Sequence, residues 1–368
     1  MKILFIRSTN GVSGAEVYTM RLVEALRKKN VDASILTNHF PFYQRAKKEH
    51  IPIAKIFLPI PEAGTKKEFL ILILWFLYLV PMYIWRIKQM EKGKKFDVVV
   101  LESMNEKLIL SPYLAILSYN VFWIEHGPLF IADRFNLIKR LYIHKTKWVK
   151  KIIAVSDDTK KDLIHGGVPK EKVERVYIGI DTTTVRKKDK KKSNHVVIGF
   201  VGGIAREKGF MEFGEAARVL LKKHNNISFL VVGDGPLLSW AKQRVQDLGI
   251  AKQVQFTGYV SDAIPFIEKM DIFFFPTHHY EGISIAALEA MALGKIVVAR
   301  DIGGNRELVI NKKTGFLFTS PKEGQAILEK IISGKMQIKE IGKRAVKHIQ
   351  TDFSWSHQIP LFLNVFQQ

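Results

Sequence analysis

Two glutamates, Glu281 and Glu289, stand eight positions apart in one segment of the chain. Glu281 follows the apolar run 272–275 and is expected in a loop, because a glycine comes next. Glu289 falls in a run rich in Ala, Leu and Met, which favours a helix. Since each helical residue rises 1.5 Å, this spacing corresponds to about 12 Å along a helix axis.

The predicted start of this helix suggests what the two carboxylates could hold. The first N–H groups of a helix lack partners within it, and the helix dipole adds positive charge there, so an anion is favoured. Phosphates at the helix start and a ribose further along would fit this layout. The segment therefore indicates a nucleoside diphosphate sugar as a candidate ligand.

Arg206 and Lys208 lie two positions apart in the glycine-rich loop 202–209, which follows the apolar run 196–201. Two cations beside flexible backbone suit a diphosphate, and Arg can bind phosphate oxygens in a bidentate manner. Gly203 belongs to the same loop. The plainer alternative is a solvated loop in which Glu207 pairs with the cations.

Three other loops are weaker candidates. Residues 10–16 include Gly14 but show neither a GxGxxG fingerprint nor the GK[ST] of a Walker loop, so this loop could simply connect a strand to a helix. His126 follows the apolar run 121–125 and precedes a glycine, as a cleft residue or a capping histidine would. Tyr259 follows the run 254–257 and could lie against a base, although an aromatic at a strand end commonly packs.

Other site chemistries are disfavoured. Paired carboxylates also serve glycoside hydrolases, but there they flank a cleft, whereas Glu281 and Glu289 share one loop and helix. No metal site is predicted, because the sequence has no HExxH motif and no Asp-x-Asp pair in a predicted loop. The chain has no cysteine, which excludes disulfides and a Cys nucleophile.

The elements that must position these residues alternate regularly between strand and helix. In a chain of 368 residues this pattern predicts an α/β fold of two doubly wound, Rossmann-like domains with parallel sheets. In such sheets ligands bind at the carboxyl ends of the strands. The predicted strands are residues 2–7, 33–37, 97–101, 121–125, 151–155 and 173–178, and then 196–201, 227–232, 254–257, 272–275, 296–299 and 315–318.

The division between the halves is expected at residues 181–194, a Thr- and Lys-rich stretch without an apolar period. We expect one domain over residues 1–185 and a second over residues 195–350. The apolar tail 353–368 is expected to pack back on the first domain as a helix.

The net charge of +22 favours anionic partners. Basic residues cluster at 86–95, 139–151 and 186–192. No nucleic-acid-binding motif accompanies them, so nucleic acid is not expected as a partner, and a merely Lys-rich surface is the plain alternative.

One uncharged apolar stretch runs from Phe69 to Trp85. It is short for a bilayer span and contains Pro81, so a buried or interfacial helix is favoured over a span. The basic residues that follow would face anionic headgroups, which suggests peripheral membrane contact. The N-terminal apolar run 3–6 is too short for a signal peptide. A cytoplasmic protein is therefore predicted, and the inner face of the cell membrane is a candidate location.

Together these features resemble the retaining glycosyltransferases of glycosyltransferase family 4, which have the GT-B fold. The resemblance covers nearly the whole chain. Its most specific part is the E-x7-E segment, which begins at Glu281 and continues to residue 298. The other matching stretches are 303–309, 314–317, Gly202-Gly203 with Arg206 and Lys208, Gly14-Ala15-Glu16, and His126-Gly127.

The resemblance implies a role for each matching residue. It assigns the first domain to the acceptor and the second to the nucleotide sugar, with no metal or other cofactor. Arg206 and Lys208 would stabilise the leaving diphosphate as its charge develops. Glu289 would contact the ribose, and Glu281 and His126 would contact the donor sugar. The loop at Gly282 and the N–H groups of Ile283 and Ser284 would meet phosphate. Gly14 would allow close approach of phosphate or acceptor.

The sequence thus predicts a retaining, metal-independent transferase that uses a UDP- or GDP-linked sugar and a membrane-proximal, lipid-linked or polysaccharide acceptor. Two departures from the family pattern, Ser284 and Lys295, remove no charged group but could affect donor and acceptor preference. Two other readings remain. One is a sugar-nucleotide epimerase on the same fold, and the other is a non-enzymatic membrane-surface binding protein.

Overall fold

The computed structural model describes residues 1–9, 14–56, 66–129, 137–182 and 194–368, with the side chains of residues 66–77 left aside. It divides into two compact units, Met1–Tyr177 with Ile359–Gln368, and Ile178–Gln358. Most of the predicted linker, with the basic cluster 186–192, lies outside the described residues. So do residues 10–13 of the first candidate loop.

Seven parallel strands form the sheet of the first unit. They are β1 (Lys2–Ile6), β2 (Asp32–Thr37), β3 (Ile53–Lys55), β4 (Val98–Leu101), β5 (Asn120–Glu125), β6 (Ile152–Ala154) and β7 (Val173–Arg175). The helices are α1 (Gly14–Arg27), α2 (Phe40–Lys48), α3 (Lys66–Glu91), α4 (Met104–Ile116), α5 (Leu137–Lys145) and α6 (Asp157–His165).

The strand order in this sheet is β3-β2-β1-β4-β5-β6-β7. Every residue of β1 and β4 is buried, as expected for central parallel strands covered on both faces. The strands that follow β1 in the chain are added toward one edge of the sheet, and those that follow β4 are added toward the other edge. The crevice at their carboxyl ends is therefore the topological switch point, where doubly wound sheets bind ligands.

The second unit contains a six-stranded parallel sheet. Its strands are β8 (Val196–Val201), β9 (Ile227–Val232), β10 (Val254–Phe256), β11 (Ile272–Phe275), β12 (Ile296–Arg300) and β13 (Phe316–Phe318). Its helices are α7 (Phe210–Leu221), α8 (Leu238–Asp247), α9 (Ile264–Ile267), α10 (Ile285–Ala292), α11 (Asn305–Leu308), α12 (Pro321–Ile332) and α13 (Lys339–Asp352), and α14 (Trp355–Phe366) ends the chain. The order β10-β9-β8-β11-β12-β13 puts the switch point between β8 and β11.

The predicted fold class is confirmed, because two parallel-sheet, Rossmann-like units are present. All twelve predicted strands occur, most with ends shifted by one or two residues. Only β3 was not predicted. In the first unit the C-terminal part of α14 packs by Phe366 edge-on against Phe122 of β5, with ring centroids 5.1 Å apart.

The apolar stretch that begins at Phe69 is part of α3. The inner side of its described half is buried, with Tyr83 and Ile87 at 2% and 0% exposure. Tyr78 and Trp85 point outward and are 60% and 59% exposed. Among the residues that the structure describes, no helix has the length and apolar character needed to cross a membrane.

Candidate functional site

The switch point of the second unit brings two of the predicted residues into contact. Lys208 lies in the loop after β8, and Glu281 lies in the loop after β11. The Lys208 ammonium donates to Glu281 Oε1, and both side chains remain partly exposed, at 29% and 20%. The nearby Arg206 is exposed, and its guanidinium donates to none of the residues described. One cation is therefore paired and another is available to a ligand.

Main-chain contacts hold the loop of Arg206 and Lys208 against the loop after β11. The Glu207 carbonyl accepts from the N–H groups of His278 and His279 at 2.9 and 2.8 Å. Glu207 thus binds through its main chain, and no ion pair of its carboxylate with the two cations occurs among the described contacts. The next turn needs glycine, because Gly209 has a φ of +73° and a Cβ there would lie 1.9 Å from the Pro276 carbonyl.

The turn after β9 supports this loop from the other side. The N–H of Ile204 donates to the Asp234 carbonyl at 2.9 Å. Gly233 has a φ of +134°, and a Cβ on it would lie 2.1 Å from the Gly202 carbonyl oxygen. The structure therefore gives this turn a supporting role.

A glycine pair holds the backbone of the Glu281 loop. The N–H of Gly304 donates to the Glu281 carbonyl at 2.9 Å. A Cβ on Gly304 would lie only 1.2 Å from the Gly282 carbonyl oxygen. Glycine is required at Gly304 because a side chain there would prevent the two backbone segments from approaching so closely.

Ser284 caps helix α10, and its hydroxyl accepts from the N–H of Ala287 at 3.4 Å. Within the described residues, the N–H groups of Ile283 and Ser284 donate to no protein acceptor. Glu289 lies inside α10 and is only 3% exposed. Because the helix begins at Ile285, only four helical steps lead to Glu289, about 6 Å of rise, and the expected 12 Å along one axis is wrong.

The other predicted residues occupy separate loops. Gly203 lies in the loop after β8, and Tyr259, which is 57% exposed, lies in the loop after β10. Gly14 is the first residue of α1, and His126 follows β5, so both belong to the first unit. In the described part of the chain, no three His, Asp or Glu side chains are grouped so that they could hold a metal ion.

The switch point of the first unit holds a charged cluster that the sequence did not reveal. Arg7 directly follows β1, and its guanidinium donates to Glu16 of α1 at 2.7 Å and to Glu102 at 3.1 Å. Glu102 directly follows β4 and is fully buried, and its Oε2 also accepts from the Thr19 hydroxyl at 2.5 Å. Three elements thus converge on one buried carboxylate.

His126 completes this cluster. Its Nε2 lies 3.5 Å from Glu102 Oε2, and its ring meets the Tyr18 ring edge-on at a centroid distance of 5.1 Å. Burial alone would raise the pKa of Glu102, but the contact with His126 and the charge of Arg7 bring it below its usual value. Glu102 is therefore held as a carboxylate.

A second buried pair lies beside the first. Lys107 of α4 donates to Glu125 at 2.6 Å and to the Ile124 carbonyl at 2.7 Å. The Tyr142 hydroxyl donates to the same Glu125 oxygen at 2.6 Å. Burial lowers the pKa of Lys107, while the charge of Glu125 opposes that shift.

One signal in the sequence could have revealed Arg7 and Glu102. Each is the first residue after an apolar run that ends at the carboxyl edge of the sheet. Their partnership depends on β1 and β4 being neighbours, and 95 positions separate them. Spacing along the chain cannot show that.

Two family models match the chain and together span most of it. The model of Glycosyltransferase Family 4 matches residues 12–184, and the model of Glycosyl transferases group 1 matches residues 181–346. The first match includes β2 to β7 and Glu102 but begins after β1 and Arg7, and the second covers the loops of Lys208 and Glu281.

Characterised relatives match part of their own length. The capsular polysaccharide biosynthesis glycosyltransferase CapM of Staphylococcus aureus is 30% identical over 222 residues, 55% of this chain and 57% of CapM. The Escherichia coli UDP-Gal:alpha-D-GlcNAc-diphosphoundecaprenol alpha-1,3-galactosyltransferase is 27% identical over 253 residues, 61% of this chain and 63% of that enzyme. This chain thus aligns with less than two thirds of either relative.

Among solved structures, Anabaena HepE in complex with UDP superposes with a TM-score of 0.82 at 19% identity, over 100% of both chains. At this identity the likeness shows the fold. It adds a structural match to the two sequence matches.

Proposed function

We propose that this chain transfers a sugar from a nucleotide sugar with retention of configuration. The support is its GT-B fold and the match of each half to a glycosyltransferase family model. The contact of Lys208 with Glu281 at the switch point between β8 and β11 carries this proposal. It places a cation and a carboxylate where a doubly wound sheet binds a nucleotide.

Each charge in this unit has a proposed task. Arg206 and Lys208 bind the diphosphate and stabilise the charge that grows on it as the sugar departs. The N-terminus of α10, with the N–H groups of Ile283 and Ser284, adds further donors to phosphate. The loop residues Gly203 and Gly282 allow close approach of the ligand.

The two carboxylates have different tasks. Glu281 contacts the donor sugar once the diphosphate takes over Lys208. The buried Glu289 accepts hydrogen bonds from the ribose, and Tyr259 lies against the base. Because two cations and a helix start serve the diphosphate, we propose that the reaction needs no metal ion and no other cofactor.

A UDP-sugar is the favoured donor, and a GDP-sugar is the alternative. The support is that the galactosyltransferase relative is named for UDP-Gal and that the HepE structure holds UDP. We propose His126 and Gly14 as the first unit's contributions to donor or acceptor binding.

The proposed acceptor is a lipid-linked or polysaccharide sugar at the inner face of a membrane. Support comes from the names of the two relatives, one for capsular polysaccharide and one for a diphosphoundecaprenol acceptor. Tyr78 and Trp85 on the outer side of α3, followed by Lys88, suit the headgroup region of an anionic membrane. Trp85→Ala should weaken sedimentation with vesicles that contain anionic lipid, and equal sedimentation would contradict membrane contact through α3.

The test of the function uses a panel of UDP- and GDP-sugars with lipid-linked and free saccharide acceptors. A bound donor at 100 times its Kd should stabilise the protein by about 2.7 kcal/mol. The product should keep the anomeric configuration of the donor, as read by NMR, and its formation should survive EDTA. An inverted product would contradict retention, and turnover of donor without acceptor would indicate an epimerase.

A further inference from the structure

Among the described residues, the charged cluster in the first unit contains more acidic than basic side chains. Glu16, Glu102 and Glu125 supply three carboxylates, whereas Arg7 and Lys107 supply two cations. Glu106 of α4 also faces the cluster, but burial raises its pKa, and its Oε1 accepts from the Tyr83 hydroxyl at 2.8 Å. His126 is the remaining titratable group whose contact with Glu102 the structure records.

The His126 ring is held in place, but its hydrogen-bonding capacity is not filled. The contact with Tyr18 fixes the plane of the imidazole, and Nε2 faces Glu102. Both ring nitrogens are buried, and neither makes a hydrogen bond to a described residue; Nε2 has Glu102 Oε2 3.5 Å away, whereas no contact of Nδ1 with a described residue is recorded. A buried polar atom without a partner is costly, so a ligand that supplies the partner would be favoured.

We propose that Glu102 is a positioning residue for His126. Its carboxylate is the hydrogen-bond acceptor for the N–H of Nε2, and Nδ1 is thereby left as the atom that meets the ligand of this site. In a neutral imidazole one nitrogen donates and the other accepts, so a carboxylate at Nε2 selects the tautomer in which Nδ1 accepts. The group recognised is then a donor, such as a hydroxyl of the sugar or of the acceptor.

Arg7 keeps Glu102 in the ionised form that this role requires. Without it, Glu102 would be a buried, unbalanced carboxylate and would tend to take up a proton itself. With Arg7 and the Thr19 hydroxyl on Oε2, Glu102 stays an acceptor. The catalytic consequence of this arrangement rests on the proposed transferase function, whereas the tautomer does not.

The test joins a spectroscopic readout with kinetics. Long-range 15N–1H spectra, with the His126 signals assigned by their loss in His126→Gln, report which nitrogen holds the proton of the neutral ring. In the wild type the proton should be on Nε2. Glu102→Gln should mix the two tautomers and lower kcat roughly 10- to 100-fold, the size known for carboxylates that orient metal-bound histidines, with donor KM within about twofold.

Glu106→Gln is the matched control, because it makes the same change on a neighbouring buried carboxyl that contacts Tyr83. It should leave the His126 tautomer and kcat unchanged. A proton on Nδ1 in the wild type would overturn the proposal, even if Glu102→Gln does not fold. Unchanged tautomer and kcat in a folded Glu102→Gln would overturn it as well. Absence of turnover with every nucleotide sugar would instead count against the proposed function and leave the tautomer result standing.

Discussion

The two switch points have the same strand topology, but their charged side chains are buried in the first unit and solvent-accessible in the second. Between β1 and β4, charges are buried and bind one another, with Glu102 at 0% and Arg7 at 12% side-chain exposure. Between β8 and β11, Lys208 and Glu281 form one partly exposed pair, and Arg206 stands in solvent. The difference teaches that strand order provides the location, whereas burial decides whether charges serve the protein or a ligand.

The largest expected effect concerns the buried cluster. Arg7→Met removes the guanidinium that contacts both buried carboxylates, Glu16 and Glu102, which should lower the free energy of unfolding by about 3–5 kcal/mol. Lys28→Met is the control, because its pair with Glu24 is exposed, and it should cost no more than about 0.5 kcal/mol. Urea denaturation measures both. Equal losses would mean that the first switch point is not held by its charges.

The second prediction concerns the cations of the other switch point. Lys208→Ala and Arg206→Ala should each lower kcat about 10²–10³-fold, as loss of a donor to developing charge does. The fold should persist, because neither side chain is buried. Lys222→Ala, an exposed lysine at the end of α7, is the control and should match the wild type. Steady-state kinetics decides, and wild-type turnover in folded Lys208→Ala would refute the proposed role.

The third prediction tests the support of the Glu281 loop. Gly304→Ala introduces a Cβ where the Gly282 carbonyl oxygen lies, so the loop must shift, at a cost of about 1–3 kcal/mol. Donor KM should rise because Glu281 is displaced. Gly214→Ala in α7 meets no atom within 4 Å and should stabilise by about 0.5–1 kcal/mol. An unchanged KM and thermal stability in Gly304→Ala would contradict the packing described.

The smallest effects concern pH, and they have opposite signs at two neighbouring carboxyls. Because the pKa of folded Glu102 lies below its usual 4.5, its stabilisation is present above pH 4.5 and is lost as pH falls through the folded pKa. The pKa of folded Glu106 lies above 4.5, so its contribution is present at low pH and is lost as pH rises through the folded pKa.

Unfolding curves of Glu102→Gln and Glu106→Gln between pH 3 and 7, each compared with the wild type, measure these contributions. The deficit of Glu102→Gln should shrink as pH falls. The deficit of Glu106→Gln should shrink as pH rises. Parallel slopes for the two variants would show that Arg7 and His126 do not set the charge of Glu102.

The sequence predicted the fold well because parallel strands buried on both faces are nearly continuous apolar runs, as in Val98–Leu101. It missed Ile53–Lys55, a three-residue strand in which every residue is only half-buried, so no apolar run marks it. The loop position of Glu281 and the helical position of Glu289 could also be predicted, because both depend on local sequence.

Contacts between distant segments could not be predicted. Lys208 and Glu281 were each identified, but their ion pair spans 73 positions and depends on β8 lying beside β11. Arg7 and Glu102 carry no motif, and a charged residue after a strand is usually at the surface. Only the sheet order turns them into a buried pair.

The central claim is that the switch point of the second unit binds the diphosphate of the donor through Arg206 and Lys208. Calorimetric titration of UDP into the wild type and into Arg206→Ala/Lys208→Ala tests it directly, with Lys222→Ala as the control. Each lost charge-assisted hydrogen bond is worth about 1.5–3 kcal/mol, so the double variant should bind UDP at least about 100-fold more weakly. The same Kd in a folded double variant would contradict the account.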